Sequence, residues 1–159
     1  MDTLAMVGIT LWWAEGTKSR LDKRWTNTRS YPVELTNTNP LIIKLFVDFL
    51  QAKLHVPVSR LRVQIQIHEG DNQAELEAYW SQVTGVPLAQ FNKTVVRPVG
   101  RKIGKSKGTC KVRFADKKVY KKLEQILREV LETLPHNTEG KFDTLPHYDF
   151  VFSSGRIDQ

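Results

Sequence analysis

Gly8-Ile9-Thr10-Leu11-Trp12-Trp13-Ala14-Glu15-Gly16 is the stretch that decides how this chain folds. It is nearly all apolar, and a carboxylate closes it one residue before a glycine. The last turn of a helix already concentrates carbonyl dipoles, so an acid there costs about 0.3 to 1 kcal/mol unless a cation or solvent offsets it. Glu15 is therefore either a solvated helix end or a candidate metal ligand. The spacing predicts a helix from about Thr3 to Glu15, capped by Asp2 or Thr3, with Gly16 as a left-handed exit. Leu4, Gly8, Leu11 and Glu15 recur at helical spacing and share one face, where Gly8 lets another backbone come close.

Downstream, Lys18 to Asn39 is polar and extended, with Lys18, Arg20, Lys23, Arg24 and Arg29 set against Asp22. Val33-Glu34-Leu35-Thr36 alternates as a strand. Asn39 and Pro40 then read as the cap and first position of a second helix, whose apolar face is Leu41, Ile42, Leu45, Phe46, Phe49 and Leu50. Leu61 to His68 is the cleanest strand: Leu61, Val63, Ile65 and Ile67 point one way, Arg62, Gln64, Gln66 and His68 the other. Such a polar face suits hydrogen bonds to base edges, and equally the wet side of an ordinary antiparallel sheet. A helix over Asp71–Val83, a strand at Cys110–Phe114 and a last amphipathic helix ending before Pro135 complete the pattern.

At 159 residues the chain has room for one domain with a core, or a core and a tail. Its formal charge of +7 points to anionic partners rather than to any fold. The excess is concentrated: twelve basic residues lie between Lys93 and Lys122, opposed only by Asp116. Arg97, Arg101, Lys102, Lys105, Lys107, Lys111 and Arg113 belong to this passage, and phosphates would relieve its self-repulsion by counterion release. A generic basic surface, anionic lipid, or RNA stacked on Trp25 or Phe91 are the other partners this composition permits. The single Cys110 excludes a disulfide framework and reads as a small core residue. No run reaches the roughly 20 apolar residues of a membrane span, and no secretion signal opens the chain. The expected location is cytoplasmic or nucleoid-associated.

The Gly8–Gly16 run resembles the signature of the LAGLIDADG homing endonucleases, with Ala14-Glu15-Gly16 in place of the Ala-Asp-Gly ending. The resemblance covers about residues 1–134 and implies an α+β fold: an αββαββα unit with a saddle-shaped antiparallel sheet over DNA. Asp2–Glu15, Lys18–Asn37, Pro40–Lys53, Leu61–His68, Thr109–Phe114 and Lys117–Leu134 fall in that order, with a helical insertion at about 70–108 and a C-terminal tail at 135–159. By this resemblance Glu15, with the carbonyls of Ala14 and Gly16, would hold Mg²⁺, or Mn²⁺ as its substitute. Asn37 would orient water, and Lys93, Lys111 or Lys117 would stabilise developing charge.

The basic residues of both passages, together with Arg62, Gln64 and Gln66, would contact double-stranded DNA. Leu4, Gly8, Leu11 and Trp12 would form the interface of a homodimer. The implied activity is site-specific, metal-dependent hydrolysis of DNA phosphodiester bonds. Glu in place of Asp extends the acid by one methylene, which leaves open a cleavage-inactive DNA-binding or transcription-related module.

Overall fold

The computed structural model describes residues 2–18, 20–21, 29–98 and 106–133. The first helix, α1, spans Thr3–Glu15, and the Asp2 carboxylate caps it by accepting from the Ala5 N–H at 2.9 Å. Its exit differs from expectation. Gly16 is extended (φ −75°, ψ 148°) rather than left-handed, and it bridges Leu35 as the chain turns directly into strand pairing. Glycine is needed there for space, since a Cβ would lie 2.3 Å from the Trp12 carbonyl oxygen.

Strands β1 (Arg20–Leu21) and β2 (Arg29–Ser30) pair antiparallel and lead to β3 (Pro32–Asn37). Helix α2 (Pro40–Leu54) starts as its sequence dictates, with the Asn39 side chain accepting from the Leu41 N–H at 2.9 Å. Then follow β4 (Arg62–His68), α3 (Gln73–Thr84), β5 (Val95–Arg97), β6 (Thr109–Ala115) and α4 (Lys117–Thr133). The architecture is α+β, with a four-stranded sheet in the order β3-β6-β4-β5.

The sheet is mixed, which corrects the expectation of a wholly antiparallel one. The pairs β3/β6 and β4/β6 are antiparallel, but β5 runs parallel to β4. A helical crossover returns the chain in its original direction, and α3 is that crossover. The segment expected as a helical insertion thus contributes the edge strand β5.

That segment also echoes what precedes it. Helices α2 and α3 both end on a left-handed residue, His55 (φ 53°) and Gly85 (φ 69°). Each is followed by a buried valine, a proline and a one-turn 3-10 helix: Val56-Pro57 before Val58–Arg60, and Val86-Pro87 before Leu88–Gln90. The Gln90 amide joins the two turns, donating to the carbonyls of Val58 and Leu61 at 2.8 Å each.

One face of the sheet is packed. Val33 and Leu35, Val63, Ile65 and Ile67, and Cys110, Val112 and Phe114 alternate inward and join one core with residues of α1, α2, α3 and α4. Trp12 is fully buried, edge-on to Tyr120 with ring centroids 5.4 Å apart. Gly8 sits directly on Phe49 of α2, where a Cβ would fall 2.0 Å from Cγ. Two of the four residues expected at a dimer interface, Gly8 and Trp12, are therefore committed to packing within the chain. Leu4 and Leu11 remain partly exposed. No helix among the described residues is long and apolar enough to cross a membrane.

Candidate nucleic-acid interface

The strand alternation that buries one face leaves rows of polar side chains on the other. Glu34, Arg113 and Arg62 form one row across β3, β6 and β4; Thr36, Lys111 and Gln64 form the next. Gln66 lies opposite Thr109, and His68 opposite Arg97. Arg62, Gln64, Gln66, Lys111 and Arg113 therefore share one open surface, as the alternation of Leu61–His68 and Cys110–Phe114 anticipates. The Gln64 amide donates to the Lys93 carbonyl at 3.1 Å, which fixes its orientation. Gly108 (φ +75°), the residue before β6, comes so close to β4 that a Cβ would lie 2.5 Å from the Gln66 carbonyl oxygen.

The other expected contacts are more scattered. Arg97 is exposed at the end of β5, and Arg29 lies on β2. The Lys107 ammonium lies over the Tyr79 ring, 5.4 Å from its centroid. Arg20 contributes to β1. Lys23, Arg24, Arg101, Lys102, Lys105 and the tail lie outside the described residues.

Glu15 is exposed at the end of α1, with no hydrogen bond or ion pair to another described residue. The cation that its awkward position calls for is Lys18. The ammonium donates to the carbonyls of Trp12 at 2.8 Å, Trp13 at 3.0 Å and Gly16 at 3.0 Å. It also lies 4.6 Å from the Trp12 ring centroid. A lysine bonding the last carbonyls of a helix offsets the negative end of its dipole. Burial pushes this ammonium down from 10.5 to about 8. Sequence reasoning assigned Lys18 to DNA; the signal for its capping role was its position just beyond an acid-terminated helix.

These contacts bear on metal binding. The Gly16 carbonyl, an expected ligand, is engaged by Lys18, and Glu15 is one carboxylate. Among the described residues no three His, Cys, Asp or Glu side chains gather as a metal-binding group. The described residues alone thus gather no such ligand set around Glu15.

The remaining catalytic candidates separate. Lys111 is on the open face beside Thr36, one residue from Leu35, which bridges Gly16. Asn37 ends β3 with its side chain turned to its own backbone, accepting from the Asn39 N–H at 2.9 Å. It has the inward parity of Leu35, so it is not in the Lys111 row. Lys93 is exposed, and its carbonyl serves Gln64. Lys117 begins α4 beyond the other end of β6, its ammonium 5.6 Å from the Tyr31 ring centroid.

Burial pushes the Cys110 thiol up to about 12, consistent with a core residue and not with a nucleophile. No protein-family model, curated protein or solved structure matches this chain.

Proposed function

We propose that this protein is a LAGLIDADG-type endonuclease that binds double-stranded DNA as a homodimer and hydrolyses phosphodiester bonds at a chosen site. The observation that carries the reading is the open sheet face, where Arg62, Gln64, Gln66, Lys111 and Arg113 stand outward from two adjacent antiparallel strands. Arg and Gln are the side chains best suited to guanine and adenine edges, and lysine to phosphate. The order helix, paired strands, helix, strand, strand, helix supports the same family once the α3–β5 segment is set aside.

Dimerisation is supported by α1. It is apolar nearly all round, and Met6 and Trp13 remain 40% and 38% exposed. Met6 and Trp13 lie on the opposite side of the helix from Glu15, whereas Leu4 and Leu11 share its face and stay partly exposed. A second copy packed against Leu4 and Leu11 would bring two Glu15 carboxylates together. Mg²⁺, with Mn²⁺ as substitute, would supply Lewis-acid and charge stabilisation there. Of the three candidate lysines, Lys111 has the best position, on the open face next to Thr36. A cytoplasmic or nucleoid-associated location follows from this reading.

The second reading, a DNA-binding module without cleavage, is favoured by one specific contact: the Lys18 ammonium already neutralises the carbonyl end of α1. Selection of a bound duplex followed by incubation with Mg²⁺ or Mn²⁺ separates the two. The nuclease reading expects cutting by wild type and, in Glu15→Gln, full binding with cutting lost by at least a hundredfold. Tight duplex binding with no cutting under either metal leaves the module. Preference for RNA over duplex DNA at matched salt overturns both.

A further inference from the structure

An arginine cluster stands at one end of the open face. An open depression of about 490 Å³ lies between β4, β6 and the 3-10 turn before β4, and its lining includes Ser59, Arg60, Arg62, Asn92 and Arg113. Arg62 and Arg113 are direct cross-strand partners. Like charges directly opposite one another in an antiparallel ladder are destabilising. The compensation around them is incomplete. Arg60 is satisfied by Asp116 at 2.8 Å. Arg113 meets Glu34 only at 3.7 Å, beyond hydrogen-bond reach, and Glu34 is itself held by the Thr17 hydroxyl at 2.6 Å.

Arg62 is oriented without being neutralised. One terminal nitrogen, Nη1, donates to the carbonyls of Ser59 and Leu61 at 2.9 Å each. The carbonyls fix the plane of the guanidinium and leave its other nitrogens without a partner among the described residues. Three guanidiniums thus face two carboxylates, in a recess whose lining is mainly polar.

We propose that this depression is a phosphate-binding site, with one tetrahedral oxyanion bridging Arg62 and Arg113. Guanidinium forks match phosphate oxygens two at a time, and a shared anion turns the cross-strand repulsion into attraction. Arg62 and Arg113 then hold phosphate, and within the duplex-binding reading Gln64 and Gln66 are left as the side chains for base edges. The phosphate comes either from a nucleic-acid backbone or from a free phosphate or phosphomonoester. The first source rests on the duplex-binding reading, and the second does not.

Two measurements test the site. Inorganic phosphate is titrated against the full chain at matched ionic strength with chloride, following the arginine side-chain N–H resonances. Duplex DNA affinity is measured across a salt series for wild type, Arg62→Gln and Arg113→Gln. Saturable phosphate binding that weakens at least tenfold in either variant supports the site. So does a fall of about 0.9 in the slope of log affinity against log salt, equal for all sequences, as one lost phosphate contact produces.

Phosphate binding without duplex binding supports the free-phosphate source and removes the duplex reading. Unchanged salt slopes with relaxed preference at one base pair, and no phosphate effect, overturn the site while leaving duplex binding intact. Non-saturable phosphate effects, equal in all three proteins, with unchanged slopes also overturn it.

Discussion

Lys18 joins three carbonyls at the end of α1 while lying over the Trp12 ring, and its titration reports on that arrangement. Its ammonium is pushed by burial to about 8 from 10.5. Below the lower value it is charged in both folded and unfolded chains, and the cost of burying charge is fully present. As pH rises from about 8 to 10.5 the folded state gives up a proton that the unfolded chain keeps, so stability rises. Chemical denaturation at several pH values should show wild type gaining on Lys18→Met across this window. Parallel pH profiles for the two proteins would exclude the burial. The acid at Glu15 was legible in the sequence; the partner that settles its helix end was not, because it follows a turn whose path the local pattern leaves open.

At the scale of elements, α1 and α2 meet through Gly8 and Phe49, and the ion pair between Asp2 and Lys53 runs between their far ends. A methyl group on Gly8 has no room, since the atoms it would strike are Cβ, Cγ and Cδ2 of a buried ring. Gly8→Ala is expected to destabilise the fold by about 1–3 kcal/mol, the usual range for overpacking. In a Phe49→Ala background, which lacks Cγ and the ring, the same Gly8→Ala change should cost less in urea unfolding; an unchanged cost would mean the helices do not meet there. The sequence already singled out Gly8 as a point of close approach, since a helix-interior glycine otherwise costs stability. It did not reveal whether the approaching element belonged to the same chain. Burial of Gly8 and Trp12 answers that, and leaves the partly exposed Leu4 and Leu11 as the apolar remainder on the Glu15 side of α1.

For the whole molecule, that remainder matters more than its area suggests. An apolar helix with an exposed side is usually covered by a partner. Light scattering should give a dimer for wild type, at least on DNA, and a monomer for Leu11→Glu with its circular dichroism unchanged. A monomer at every concentration and on DNA would remove the paired-Glu15 geometry, and cleavage with it, while leaving the basic face as a binding surface.

The helices, the strands β3, β4 and β6, and the polar stripe of β4 were determined by sequence, because caps, apolar periods and alternation act over a few residues. Asp2, the Asn39-Pro40 start and the Arg62–His68 alternation all stand as the residues dictate. Tertiary structure alone decided that β5 joins β4 in parallel, that Lys18 reaches the end of α1, and that Arg62 comes to face Arg113. Those neighbours are set by how the helices cover one side of the sheet. That choice depends on packing between residues far apart in the chain, where hydrophobic attraction is strong but has no direction of its own.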